Sequence, residues 1–336
     1  MTTVFLITII LHLIKICCGT VHDEESCQSI HNTRSNNGSS SNWKWDPSSP
    51  RHRCNIHRIS QSSLLKVFGP LGLPNLYPYP LVITPDENDP PEMRRNSYFA
   101  NLTSLVSLPK QFPPDFTVTL TGSDSLSSHR KTVSLRDYLH ETVSRGETLP
   151  NQLGNETWYL FGETFTLEWE DFLRGNYNVP YCHSCTSMNA VALSFGVGNI
   201  GSGVQWHTHG PGFSETIHGR KHWVLYPPQH RPNYDLDYAS RHWMEYVYPT
   251  LDDWSEREEE EEQRKQRKVL VRNVHHTRER IENGGGIPSK KKPFECTIHE
   301  AEMIYFPDGW HHATINLEKY TVFVSSFTSE HDETYK

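Results

Sequence analysis

The sequence predicts a mainly β protein, a sandwich or barrel of short strands with helical and extended additions on its N-terminal side. Three observations lead there. Beyond Trp158 the chain divides into short β-like runs, 191–195, 217–226, 303–306 and 321–327, parted by Gly and Pro. Its 336 residues, 35% hydrophobic and 11% aromatic, support a real core but exclude a collagen, a coiled coil and a multi-span membrane protein. No internal repeat is evident. The net charge of −8 without a long basic stripe argues against nucleic acid as a partner.

Residues 4–14 form an uncharged run broken only by Thr8 and His12, followed by Lys15 and by Cys17-Cys18-Gly19. The run is shorter than the ~20 apolar residues that span a bilayer, and small residues stand at −3 and −1 of a cut before Thr20. Residues 1–19 therefore read as a signal peptide, with no stable membrane span expected. An uncleaved anchor is the alternative, because no Lys or Arg precedes the run. The sequons at Asn37, Asn101 and Asn155 agree with secretory entry and mark glycosylation candidates. Cleavage would remove two of the seven cysteines and leave Cys27, Cys54, Cys182, Cys185 and Cys296 in an oxidising compartment. Two disulfides and one thiol are the simple expectation. Cys27 with Cys54 would staple the polar stretch, and Cys182 with Cys185 reads as a tight disulfide, a redox pair or half a zinc site, with the disulfide ahead of zinc because no second CxxC exists.

Residues 20–60 are polar, Asn-, Ser- and His-rich at first, and read as a disordered tail. Residues 61–133, rich in Pro and apolar side chains, read as an extension packing on the core, with a strand at 116–120. The main domain is expected at 134–336, opening on a helix capped by Ser134 with Asp137 at its third position. A charged insertion at about 252–293 interrupts it, with 256–268 read as an inserted helix or a disordered loop.

The chemistry concentrates in Gln205-Trp206-His207-Thr208-His209. On an extended strand residues i and i+2 share a face, so His207 and His209 can offer two imidazoles to one cation. A strand, a Pro-x-Gly turn and another strand then follow in 301–316. This barrel-closing pattern would return a third imidazole, His312 rather than His311, with Thr314 and Asn316 on the same face. Along 217–226, Lys221 alternates with Ile217, Trp223 and Leu225, so its ammonium points among apolar neighbours and needs an anion. Glu215 would be the partner in a purely structural ion pair. Trp206, Trp223 and Trp310 read as lining or plugging the barrel.

These residues resemble the JmjC (jumonji) branch of the cupin superfamily. The match lies in Gly219-Arg220-Lys221-His222-Trp223, in Tyr305-Phe306-Pro307-Asp308-Gly309-Trp310-His311-His312, and in the run from Trp158 to Glu163. The resemblance covers roughly 134–327. It implies a double-stranded β-helix of jelly-roll type holding Fe(II) on His207, His209 and His312. Lys221 would anchor 2-oxoglutarate, and Asn316 would bond the cosubstrate or a metal-bound water, or merely satisfy strand-end backbone groups. His209 stands where the family has Asp or Glu, so Glu215 is the alternative source of a carboxylate ligand. The implied function is an Fe(II)/2-oxoglutarate oxygenase-like protein acting on, or binding, protein side chains. The alternatives are a catalytically inactive JmjC scaffold and a 2-oxoglutarate-independent cupin enzyme using Glu215. With the signal peptide, the resemblance implies the endoplasmic reticulum lumen. Secretion is the alternative, since residues 330–336 lack a KDEL-type signal.

Overall fold

Turn-forming glycines and prolines cut the chain into short strands in a computed structural model, which describes residues 54–69, 72–73, 77–122, 129–144, 158–180, 191–235, 238–272 and 291–328. The N-terminal part comprises β1 (Arg58–Ser60), α1 (Gln61–Phe68), β2 (Leu81–Thr84), α2 (Ser97–Leu102), β3 (Thr117–Gly122), β4 (Arg130–Ser134) and α3 (Leu135–Asp137). There follow β5 (Trp158–Tyr159), α4 (Leu167–Asn176), β6 (Val191–Gly198), β7 (Gly212–His218), β8 (Lys221–Tyr226), α5 (Ser240–Tyr246) and α6 (Glu256–Arg272). The described chain closes with β9 (Phe294–Ile298), β10 (Met303–Phe306), β11 (His311–Asn316) and β12 (Thr321–Thr328).

A six-stranded sheet has the order β1-β2-β10-β7-β12-β6, with β1 parallel to β2 and the other neighbours antiparallel. A second sheet, β11-β8-β9, is antiparallel, as is the smaller β4-β3-β5. Side chains from β8 and β11 and from β10 and β12 line one cavity, so the first two sheets face one another across it. One apolar core joins Leu81, Ile83, Trp206, Tyr226, Ile304 and Phe306; another joins Phe99, Val118, Leu135, Trp169, Phe195 and Val322. Each such side chain contributes about 1.5–3 kcal/mol when fully buried.

The run 217–226, expected as one strand, is two. Gly219 has φ 74°, and a Cβ there would come within 2.5 Å of the Tyr320 carbonyl oxygen. Only glycine fits, and the chain turns there from the six-stranded sheet into the β11-β8-β9 sheet. Ser134 does cap α3, accepting from the Asp137 N–H at 3.4 Å, and the helix widens into a π turn at Tyr138–Ser144.

Residues 54–60, assigned by composition to the tail, are folded. Ile56 and Ile59 are buried, and β1 pairs with β2. Residues 61–133, expected as an extension packing on the core, also supply β2, a strand of the main sheet itself. The charged block 256–268 belongs to α6, whose Gln266, Val269 and Leu270 are buried. Gln266 accepts from the His57 N–H through Oε1 and from the Tyr77 hydroxyl through its carbonyl. No helix among the described residues is long and apolar enough to cross a membrane.

Cys54 is bonded to Cys296, not to Cys27, across 242 residues of sequence. Asn55 brings the two together: its N–H donates to the Glu295 carbonyl at 3.1 Å, and its Oδ1 accepts from the Glu295 N–H at 2.8 Å. Cys27, Cys182 and Cys185, like Asn37 and Asn155, lie outside the described residues. Asn101 is exposed on α2.

Candidate metal centre

The three histidines are brought together by an irregular stretch that runs beside β11. Backbone bonds link Asn316 N–H to Ser202 O at 2.7 Å, Thr314 N–H to Val204 O at 2.9 Å, and His207 with His312 reciprocally at 3.0 and 2.9 Å. A Cβ on Gly203 would lie 1.9 Å from the Thr314 carbonyl oxygen, so this close approach requires glycine. The Gly309 N–H donates to the His209 carbonyl at 3.1 Å and ties the Pro307–Gly309 turn to the same stretch.

The result is a cluster of imidazoles. Ring centroids are 4.1 Å apart for His207 and His312, 4.7 Å for His209 and His312, and 5.3 Å for His207 and His209. Their potential ligand nitrogens all lie within 4.8 Å of one another. Each Nδ1 faces a backbone carbonyl: Gln205 O at 2.7 Å for His207, Gly210 O at 2.8 Å for His209, and Trp310 O at 2.9 Å for His312. A carbonyl only accepts, so each Nδ1 carries the hydrogen and each Nε2 the lone pair. Burial, with the neighbouring His209, lowers the pKa of His207 to about 3. Burial and the other two rings hold His312 well below the ordinary histidine value. Both are therefore neutral donors at pH 7. Trp223 and Phe306 stack on His312, with centroids at 5.6 and 4.9 Å. His311, its neighbour, is only partly buried and lies outside the cluster.

Lys221 lines the same cavity and is 1% exposed. Its Nζ donates to the Tyr159 hydroxyl at 2.9 Å and to Asn316 Oδ1 at 3.1 Å, and sits 3.8 Å from the centre of the Phe323 ring. Burial pushes its pKa well below the usual ammonium range. Asn316 stands behind Lys221, with its Nδ2 donating to Ser202 Oγ at 2.9 Å. A Cβ on Gly198 would strike both Ser202 Oγ and Asn316 Nδ2, which makes this packing specific to glycine. Phe161, Trp223, Phe306, Phe323 and Phe327 supply the apolar walls. Trp206 and Trp310 belong to the core instead.

Glu215 takes neither of the roles open to it from sequence. Its Oε2 accepts from the Arg95 guanidinium, from Asn96 Nδ2 at 2.8 Å and from the Tyr177 hydroxyl at 2.8 Å. It pairs with the N-terminal addition rather than with Lys221, and it is outside the histidine cluster. Sequence reasoning missed Tyr159 and Phe323 as the seat of Lys221, and Arg95 and Tyr177 as the seat of Glu215. Tyr159 lies in the run that carries the family resemblance and Phe323 in the strand-like run 321–327, but nothing in either run points to Lys221.

A Cupin-like domain model matches residues 66–333. The chain belongs to the cupin-like JmjC family. The jelly-roll fold and mainly antiparallel sheets agree with that membership. The chain is 33% identical over 232 residues to JmjC domain-containing protein 8 of Homo sapiens, covering 69% of this chain and 72% of that one. The same-named protein of Rattus norvegicus is also 33% identical over 232 residues, with 70% of its length covered. A shorter match, 25% over 151 residues, links it to Lysine-specific demethylase JMJ21 of Arabidopsis thaliana, 12% of whose length is covered.

The donor set fits a divalent metal. Three neutral imidazoles with oriented Nε2 lone pairs suit borderline cations such as Fe(II), Zn(II), Ni(II) or Co(II) better than oxygen-seeking Mg(II) or Ca(II). This JmjC-family cavity thus joins a place for a metal to a buried amine whose bonding partners are neutral.

Proposed function

We propose that this protein is an Fe(II)- and 2-oxoglutarate-dependent oxygenase-like protein of the secretory pathway, acting on or binding protein side chains. The observation that carries the reading is the convergence of His207, His209 and His312 in one cavity with buried Lys221. When bound, iron and 2-oxoglutarate supply oxygen activation. The chain's own residues do the rest: the three imidazoles hold the metal, and Lys221 receives the distal carboxylate. Tyr159 and Asn316 fix the Lys221 amine, and the aromatic walls exclude water. A carboxylate arriving at Lys221 provides the counter-charge that restores its ammonium form. The signal-like residues 1–19, the Cys54–Cys296 bond and exposed Asn101 support a lumenal address, which points away from histones as substrate.

One observation favours a second reading. His209 stands where the family carries Asp or Glu, as expected of a metal-binding JmjC scaffold without turnover. Anaerobic metal analysis followed by calorimetric titration of 2-oxoglutarate separates the two. The oxygenase reading expects one metal per chain and 2-oxoglutarate binding that Lys221→Ala abolishes. Metal without 2-oxoglutarate binding leaves the scaffold, and a chain that takes up neither ends both metal-dependent readings.

A further inference from the structure

Among the described residues twelve line the cavity, and none of them is Asp or Glu. Its three imidazoles coordinate as neutral donors, because their Nδ1 hydrogens are committed to backbone carbonyls. A divalent ion there keeps its full charge of two. Lys221 adds a third positive charge when protonated, and among the described residues its Nζ donates to the Tyr159 hydroxyl and the Asn316 carbonyl oxygen, both neutral. Glu215, the buried acid of β7, is held by Arg95, Asn96 and Tyr177. A doubly ionised dicarboxylate cancels two of the three charges. One remains, enclosed by five aromatic side chains, where an uncompensated charge is costly.

His209 is the source of the excess. An acid in its place would close the sum at zero; an imidazole leaves it at plus one. The His209 ring stands edge-on to Phe306 and Phe327, with centroids at 5.3 and 4.8 Å, so its surroundings suit a weakly hydrated anion. Resting on the metal-centre reading above, we infer that the ion held by His207, His209 and His312 takes a small monoanion of the halide, azide or formate class. This ligand is additional to any dicarboxylate at Lys221, and His209 is the residue that admits it.

Full-length protein loaded anaerobically with Co(II) tests this, with azide as probe and visible absorption as readout. His209→Asn and His209→Asp are near in shape and differ by one charge. Wild type and His209→Asn are expected to show a saturable azide-dependent spectral change, and His209→Asp to bind azide at least tenfold more weakly. The wild-type change is expected to persist at saturating 2-oxoglutarate. A cobalt-loaded wild type blind to azide, or equal azide affinity in the Asn and Asp variants, overturns the inference and leaves the oxygenase reading standing. Azide binding without 2-oxoglutarate binding does the reverse. Wild type that holds no cobalt overturns both.

Discussion

Two buried polar sites flank the main sheet, and they are finished to different degrees. Around Glu215, an acid meets a guanidinium, an amide and a phenol, so the charge is answered within the fold. Around Lys221 and the histidines, the amine bonds to neutral groups among the described residues, and the ligand nitrogens of three imidazoles lie within 4.8 Å of one another. The first joins the N-terminal addition to β7. The second is costly to the fold without something bound, and that contrast marks it as the functional one.

Breaking the finished site has the largest expected effect. Arg95→Met strands the Glu215 carboxylate in the interior and is expected to lower stability by about 3–5 kcal/mol in urea titrations. A loss under ~1 kcal/mol would remove the structural role given to this pair. The second expected effect is on affinity: His312→Ala lowers Zn(II) affinity roughly 100-fold or more by competition with a chelating dye. An unchanged affinity would place the metal elsewhere.

Lys221→Met sharpens the contrast, because it removes a buried amine that the fold does not neutralise. Stability of the metal-free protein is expected to stay within ~1 kcal/mol of wild type or to rise, where the corresponding change at Arg95 is severe. A large loss would make Lys221 a structural residue. The smallest expected effect is a near absence of one. Ordinary histidines titrate near 6.5, so three of them would cost roughly 1000-fold in metal affinity at pH 5.5 through proton competition. His207 is held to about 3 and His312 well below its usual value, both chiefly by burial, so both stay neutral at pH 5.5. Calorimetry at pH 7.5 and 5.5 is therefore expected to show a fall far short of 1000-fold.

What the sequence disclosed follows from the range of each interaction. His207 and His209 could be paired from the two-residue period of an extended chain, although the stretch that carries them is irregular and not a strand, and His312 from the Pro307–Gly309 turn that redirects the chain. The strands at 303–306 and 321–327 were readable from local pattern, and Ser134 from cap chemistry. Alternation set Lys221 correctly toward the cavity but did not reveal the turn at Gly219, where close contact with the Tyr320 carbonyl demands glycine. Glu215 looked available because Arg95 and Tyr177 reach it from sequence-distant elements. Cys54 looked like a partner for nearby Cys27 because nothing local announces that Asn55 docks on Glu295. The charged face of α6 hid the few residues, Gln266 among them, that fasten it to the core.

X-ray absorption at the zinc edge of the zinc-loaded protein is the most direct measurement of the central claim. A first shell of nitrogen or oxygen donors at about 2.0–2.1 Å, with outer-shell scattering from three imidazoles that drops to two in His312→Ala, is the predicted result. Sulfur at about 2.3 Å, or a spectrum indifferent to His312, would contradict it.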